Sequence, residues 1–90
     1  MRVVRRYLVS GRVQGVGFRY FAGEAGRREG LHGTVQNLPD GRVEIVCEGE
    51  ADAVERFERA IRQGPPAARV DDVETDLSAP GPRGPGFHVR

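Results

Sequence analysis

Leu31-His-Gly-Thr-Val-Gln-Asn37 and Arg42-Val-Glu-Ile-Val-Cys-Glu48, joined by Leu38-Pro-Asp-Gly41, form the stretch on which the fold turns. Leu31, Gly33 and Val35 alternate with His32, Thr34 and Gln36. Val43, Ile45 and Cys47 alternate with Arg42, Glu44 and Glu48. A period of two puts successive side chains on opposite faces, so each run reads as a strand with one face buried. Proline, aspartate and glycine stand between them where a tight turn prefers them. The pattern predicts a β-hairpin.

Working outward from it, the upstream residues Phe18, Phe21, Ala22 and Ala25 recur at i, i+3, i+4 and i+7, a helical stripe ending near Gly30. Gly23 and Gly26 each weaken that helix by roughly 1 kcal/mol relative to alanine, so it must lean on tertiary packing. Before it, Val3 to Ser10 reads as a strand stopped by Gly11, with apolar residues on both faces. Downstream, Glu50 to Gln63 is a second helix with the stripe Val54, Phe57, Ile61. Its outer side carries three acid-before-base pairs four residues apart: Asp52 with Arg56, Glu55 with Arg59, Glu58 with Arg62. Gly64-Pro65-Pro66 stops it. Val73, Thr75 and Leu77 suggest a fourth strand, and a Pro/Gly-rich loop from Ala79 to Gly86 leads to a short last strand, Phe87 to Arg90. The order β-α-β-β-α-β predicts an α+β, ferredoxin-like fold over residues 1–90 as one domain: an antiparallel sheet with two helices packed on one face. A fold this widely reused does not name a function.

Composition narrows the chemistry. Fourteen basic residues face thirteen acidic ones, a formal charge of +1, which disfavours a general nucleic-acid or membrane-surface binder. No apolar run approaches the ~20 residues of a membrane span. The opening Met1-Arg-Val-Val-Arg-Arg6 is charged and strand-like rather than a signal-peptide core, and the lone Cys47 fits a reducing cytoplasm. Every basic residue is arginine, so lysine nucleophiles and Schiff bases are excluded. No carboxylate or His/Cys cluster has metal-ligand spacing. His32 and His88 read as surface residues, Cys47 as a small buried hydrophobe and Asp71-Asp72 as a solvated edge. No metal and no cofactor are expected.

The segment Gly11-Arg-Val-Gln-Gly-Val-Gly-Phe-Arg19 lies between a strand and a helix. Three glycines let the backbone curl so that successive N–H groups point inward as an anion nest. The helix start adds unsatisfied N–H groups and the positive end of its dipole. Arg19 sits in the first helical turn, where the dipole disfavours a cation unless an anion is bound nearby, and its guanidinium can grip two phosphate oxygens. Together these describe a phosphate cradle. It is not a Walker A loop, which ends in Gly-Lys-Ser/Thr, nor a dinucleotide-binding glycine motif. The residues alone leave two readings open, a phosphate-handling enzyme and a non-catalytic ferredoxin-like module that binds a small anion. Asn37, just before Leu38-Pro39, reads equally as a turn former.

The segments Gly11–Arg19 and Gly33-Thr-Val-Gln-Asn-Leu-Pro-Asp-Gly41 resemble, in order, the two signature segments of the acylphosphatase family, as do the Gly64-Pro65-Pro66 and Phe87-His-Val-Arg90 sequences. The resemblance implies a metal-independent enzyme that hydrolyses acyl phosphates, acting as a cytoplasmic monomer on a small molecule. It further implies that Val13, Gln14, Gly15, Val16, Gly17, Phe18 and Arg19 wrap the phosphate and that Asn37 positions the attacking water. Where family members often carry an aromatic residue and an arginine, this chain has Thr34 and Gln36, which bears on stability or substrate preference. No motif marks a pocket for the acyl group.

Overall fold

The hairpin forms as its alternation requires. The computed structural model describes residues Met1–Arg90 and orders them as β1 (Arg2–Arg12), α1 (Phe18–Arg28), β2 (His32–Asn37), β3 (Val43–Glu50), α2 (Ala51–Gln63), β4 (Arg69–Asp76) and β5 (Phe87–Val89). β2 and β3 pair antiparallel from His32↔Glu48 to Asn37↔Val43. Leu38 N–H donates to Arg42 O (2.8 Å), and Gly41 takes the positive φ of 97° that the turn demands. The Asp40 carboxylate accepts from the backbone N–H of Arg42 at 3.0 Å and from its Nε at 2.8 Å; the backbone bond is the main reason its carboxyl is held below the usual range.

The five strands lie in the order β4-β1-β3-β2-β5, with both helices packed on one face. Val35, Val43, Ile45 and Cys47 turn inward, as their alternation predicts, and meet Phe18, Ala22 and Ala25 of α1 and Val54, Phe57 and Ile61 of α2 in one core. The structure resolves the ambiguity of β1, where Tyr7 and Val9 are fully buried while Val4 and Leu8 remain half-buried on the other face. Of the three expected pairs on α2, Asp52–Arg56 (3.8 Å) and Glu58–Arg62 (2.9 Å) form. The stronger partner of Arg56 is Glu29 at 2.8 Å, which ties α2 to the end of α1.

Three expectations need correction in detail. Gly11 does not stop β1; it sits inside the strand as a bulge at φ 122°, where a Cβ would collide with the main chain of Arg69 and Asp71. β4 starts at Arg69, four residues before Val73. Its early residues pair with the bulged end of β1 at the sheet edge, and only Val73 is buried, so hydrophobic alternation could not mark them. The sheet is mixed, because β5 runs parallel to β2 (Gly33↔Phe87 to Val35↔Val89). The chain leaves β4 at one edge and crosses the helix-free face to the other edge. It arrives antiparallel to β4, which makes it parallel to β2.

α1 lies close over β5. Its glycines, weak points for an isolated helix, are clearance points in the fold: a Cβ at Gly23 would stand 2.6 Å from Val89 Cγ2, and one at Gly26 would overlap the Phe87 ring. That approach brings the end of β5 beside the start of α1.

Candidate active site

The loop from β1 to α1 is anchored in the core at both ends, by Val13 and Phe18, each 1% exposed. Between them Gly15 (φ 75°) and Gly17 (φ 81°) take left-handed conformations. A Cβ at either would meet nothing within 4 Å, so backbone conformation rather than crowding calls for glycine there. The Gln14 side chain fastens the loop from outside. Its Nε2 donates to Leu38 O (2.8 Å) and Arg42 O (3.0 Å), tying the cradle to the turn that follows Asn37.

Gly17 caps α1 without a side-chain bond, and no acidic residue occupies the first turn. The first intrahelical bond runs from Phe21 N–H to Gly17 O (3.0 Å). The N–H groups of Phe18, Arg19 and Tyr20 therefore have no intrahelical acceptor and can serve an outside anion at the positive end of the dipole. Arg19 is exposed, and its Nη1 donates to the main-chain oxygen of Arg90, just past β5. Packing of β5 against α1 thus stations the guanidinium at the mouth of the loop.

Asn37 ends β2 on the same face as Val35, toward α1. Its Oδ1 is buried with no hydrogen-bond partner, the one side-chain atom in the protein in that condition. An unpaired buried acceptor costs about 1–3 kcal/mol, so this one is poised for a donor from outside the chain.

These pieces meet in a cleft of about 240 Å³ lined by Val13, Gly15, Gly17, Phe18, Arg19 and Asn37, together with Tyr20, Val89 and Arg90. Gln14 and Val16, expected around the phosphate, do not line it, and the Gln14 side chain points to the hairpin turn instead. Sequence reasoning missed Tyr20, Val89 and Arg90. Tyr20 carried a signal, as an aromatic residue off the apolar stripe and next to Arg19. Nothing local could place Val89 and Arg90, since Arg90 lies 71 residues downstream of Arg19.

Outside the cleft, Cys47, His32 and His88 have structural settings. Burial pushes the Cys47 thiol up to about 12, which keeps it protonated and unreactive. His32 Nδ1 accepts from Gly86 N–H (2.8 Å) and His88 Nε2 lies 2.9 Å from Pro85 O, so both rings hold the loop entering β5. No three His, Cys, Asp or Glu side chains gather as a metal site. No helix is long and apolar enough to cross a membrane.

A family model described as Acylphosphatase matches residues 5–89. The acylphosphatase of Anaeromyxobacter dehalogenans is 53% identical over 89 residues, covering 99% of this chain and 96% of that protein. The acylphosphatase of Thermus thermophilus is 50% identical over 82 residues, covering 91% of this chain and 92% of its own. The crystal structure of acylphosphatase from Bacillus subtilis superposes with a TM-score of 0.92 at 39% identity, covering 100% of this chain and 99% of that one.

Proposed function

The chain belongs to the acylphosphatase family and is an enzyme that hydrolyses acyl phosphates, and we propose how its cleft divides the work of that reaction. The backbone N–H groups of the 13–19 loop and the helix start hold the phosphoryl oxygens, with Arg19 gripping two of them. Asn37 Oδ1 accepts a hydrogen bond from the attacking water. The water oxygen bonds to phosphorus as the bond from phosphorus to the acyl oxygen breaks. The carboxylate leaves with the bonding pair, and the proton passes to a phosphoryl oxygen or to solvent.

A carboxylate is a good leaving group, so no strong general acid is needed to expel it. Negative charge spreads over the equatorial phosphoryl oxygens in the transition state, and catalysis is mainly positioning and electrostatics. Fixed N–H donors and a guanidinium suit that charge. An amide carbonyl is too weak a base to deprotonate water fully, but it can aim it. The observation that carries this reading is the orphaned Asn37 Oδ1 in the same cleft as Arg19. We extend the reading to a cytoplasmic monomer that needs no metal and binds no nucleic acid. One chain supplies the whole cleft, and turnover is expected to persist after exhaustive chelation.

The test separates the two side chains. Arg19 touches phosphate in the ground state and the transition state, so Arg19→Ala weakens inhibition by inorganic phosphate and lowers kcat, a combined loss of several kcal/mol. Arg19→Lys does not rescue it, because an ammonium lacks the planar two-oxygen grip. Asn37→Ala leaves phosphate affinity nearly intact while kcat drops by about 10²-fold or more. Folding of each variant is checked by circular dichroism. A folded Asn37→Ala with wild-type kcat, or with phosphate binding lost as badly as in Arg19→Ala, overturns the water assignment. Absence of any acyl-phosphate turnover by the wild type would instead leave a simple anion-binding module.

A further inference from the structure

The two halves of the cleft come from separate segments, the 13–19 loop with Arg19 on one side and Asn37 at the end of β2 on the other. Between residues 13–17 of the loop and residues 38–42 of the turn after Asn37, the only hydrogen bonds are those donated by Gln14 Nε2, to Leu38 O at 2.8 Å and to Arg42 O at 3.0 Å. A primary amide has two N–H donors, so both are spent on this link. The turn closes without them. Leu38 N–H donates to Arg42 O (2.8 Å) and Gly41 N–H to Leu38 O (3.2 Å), and Gln14 takes the second lone pair of each carbonyl. The loop likewise keeps its seat without them, because Val13 and Phe18 are buried in the core. Gln14 does not line the cleft, so its side chain is no phosphate ligand.

We propose that Gln14 is a positioning residue whose amide fixes the spacing between the phosphate cradle and Asn37, and with it the line along which water meets phosphorus. The inference rests on the reading of the cleft given above. Reacting atoms must stand about 3–3.5 Å apart and aligned, and a misplacement of about 1 Å can cost about 10²-fold in rate. One anchor of the link is the carbonyl of Leu38, the residue bonded to Asn37, so a shift of the turn reaches the Asn37 side chain directly. Phosphate is held by groups on the loop side alone and is far less sensitive to that shift.

The experiment measures kcat for acetyl phosphate and Ki for inorganic phosphate in two variants. Gln14→Met keeps the length and loses both donors; Gln14→Glu keeps the shape but as a carboxylate can only accept. Each is expected to lower kcat about ten- to a hundredfold while Ki changes by less than about threefold. Gln14→Met is then combined with Asn37→Ala and, separately, with Arg19→Ala. With no aimed water left to misplace, it should cost less than about threefold more beside Asn37→Ala, and it should keep its full effect beside Arg19→Ala. A residue that only supports the fold would move Ki with kcat and cost the same in both backgrounds. The proposal is overturned if both variants keep kcat within about twofold of the wild type, or if Ki rises in proportion to the loss of kcat. It is overturned equally if the loss is undiminished beside Asn37→Ala, or if neither variant folds by circular dichroism. These outcomes differ from failure of the underlying reading, in which folded Asn37→Ala keeps the wild-type kcat, a result that overturns both.

Discussion

Replacing Gly26 with alanine sets two magnitudes against each other. In an isolated helix the change is favourable by about 1 kcal/mol, because glycine is the poorer helix former. In the fold the new methyl would lie 2.5 Å from Cε2 and 2.7 Å from Cγ of Phe87, about an ångström inside ordinary contact. The ring has little room to yield. It is 3% exposed, its centroid is 5.6 Å from that of Phe57, and its Cε2 lies so near the Gly33 backbone that a Cβ there would stand 2.8 Å away. Overpacking a closed site costs about 1–3 kcal/mol, and a buried ring packed near Phe57 belongs at the upper end of that range. The net expectation is a loss of about 1–2 kcal/mol, which for a domain of this size lowers the melting temperature by roughly 5–15 °C. Calorimetry and urea unfolding with the variant Gly26→Ala measure it. A double-mutant cycle with Phe87→Leu isolates the cause, because the smaller side chain should relieve part of the penalty. A higher melting temperature for Gly26→Ala, or strict additivity with Phe87→Leu, refutes the clearance argument.

Inorganic phosphate should inhibit competitively and raise the melting temperature, by about 2.7 kcal/mol of stability at a hundred times its Kd, and Arg19→Ala should shrink both effects. Noncompetitive inhibition counts against the cradle. The acid limb of stability should carry a contribution from Glu44. Burial raises its carboxyl, but hydrogen bonds from Gln36 and Arg6 and the Arg6 charge outweigh this and leave it below the ordinary 4.5. A carboxyl depressed in the folded state stabilises above its unfolded value and loses that contribution as pH falls through the folded one. Glu44→Gln should therefore be less stable near neutrality and less sensitive to pH below about 4.5; parallel stability profiles for the two proteins would refute this.

Much of this protein could be read from local pattern. Alternation over 31–48 with a Pro-Asp-Gly turn specifies the hairpin, because a one-residue slip would turn every apolar side chain to water. The stripes of α1 and α2 require a sheet to cover them. The glycines and Arg19 point to an anion site, since glycine permits the left-handed turns of the loop and a cation at a helix start is otherwise unfavourable. Local pattern could not choose the buried face of β1, because Val4 and Leu8 compete with Tyr7 and Val9 and only neighbouring strands break the tie. Nor could it assign Gly23 and Gly26 their purpose, which exists only once β5 lies against α1. The same docking supplies Val89 and Arg90 to the cleft, and the Gln14 bonds hold the hairpin turn against the loop. Residue types and their spacing determined which groups could bind phosphate and aim water. Tertiary packing decided that they face one another, because contacts between distant segments depend on how helix and sheet close, and no local period encodes that.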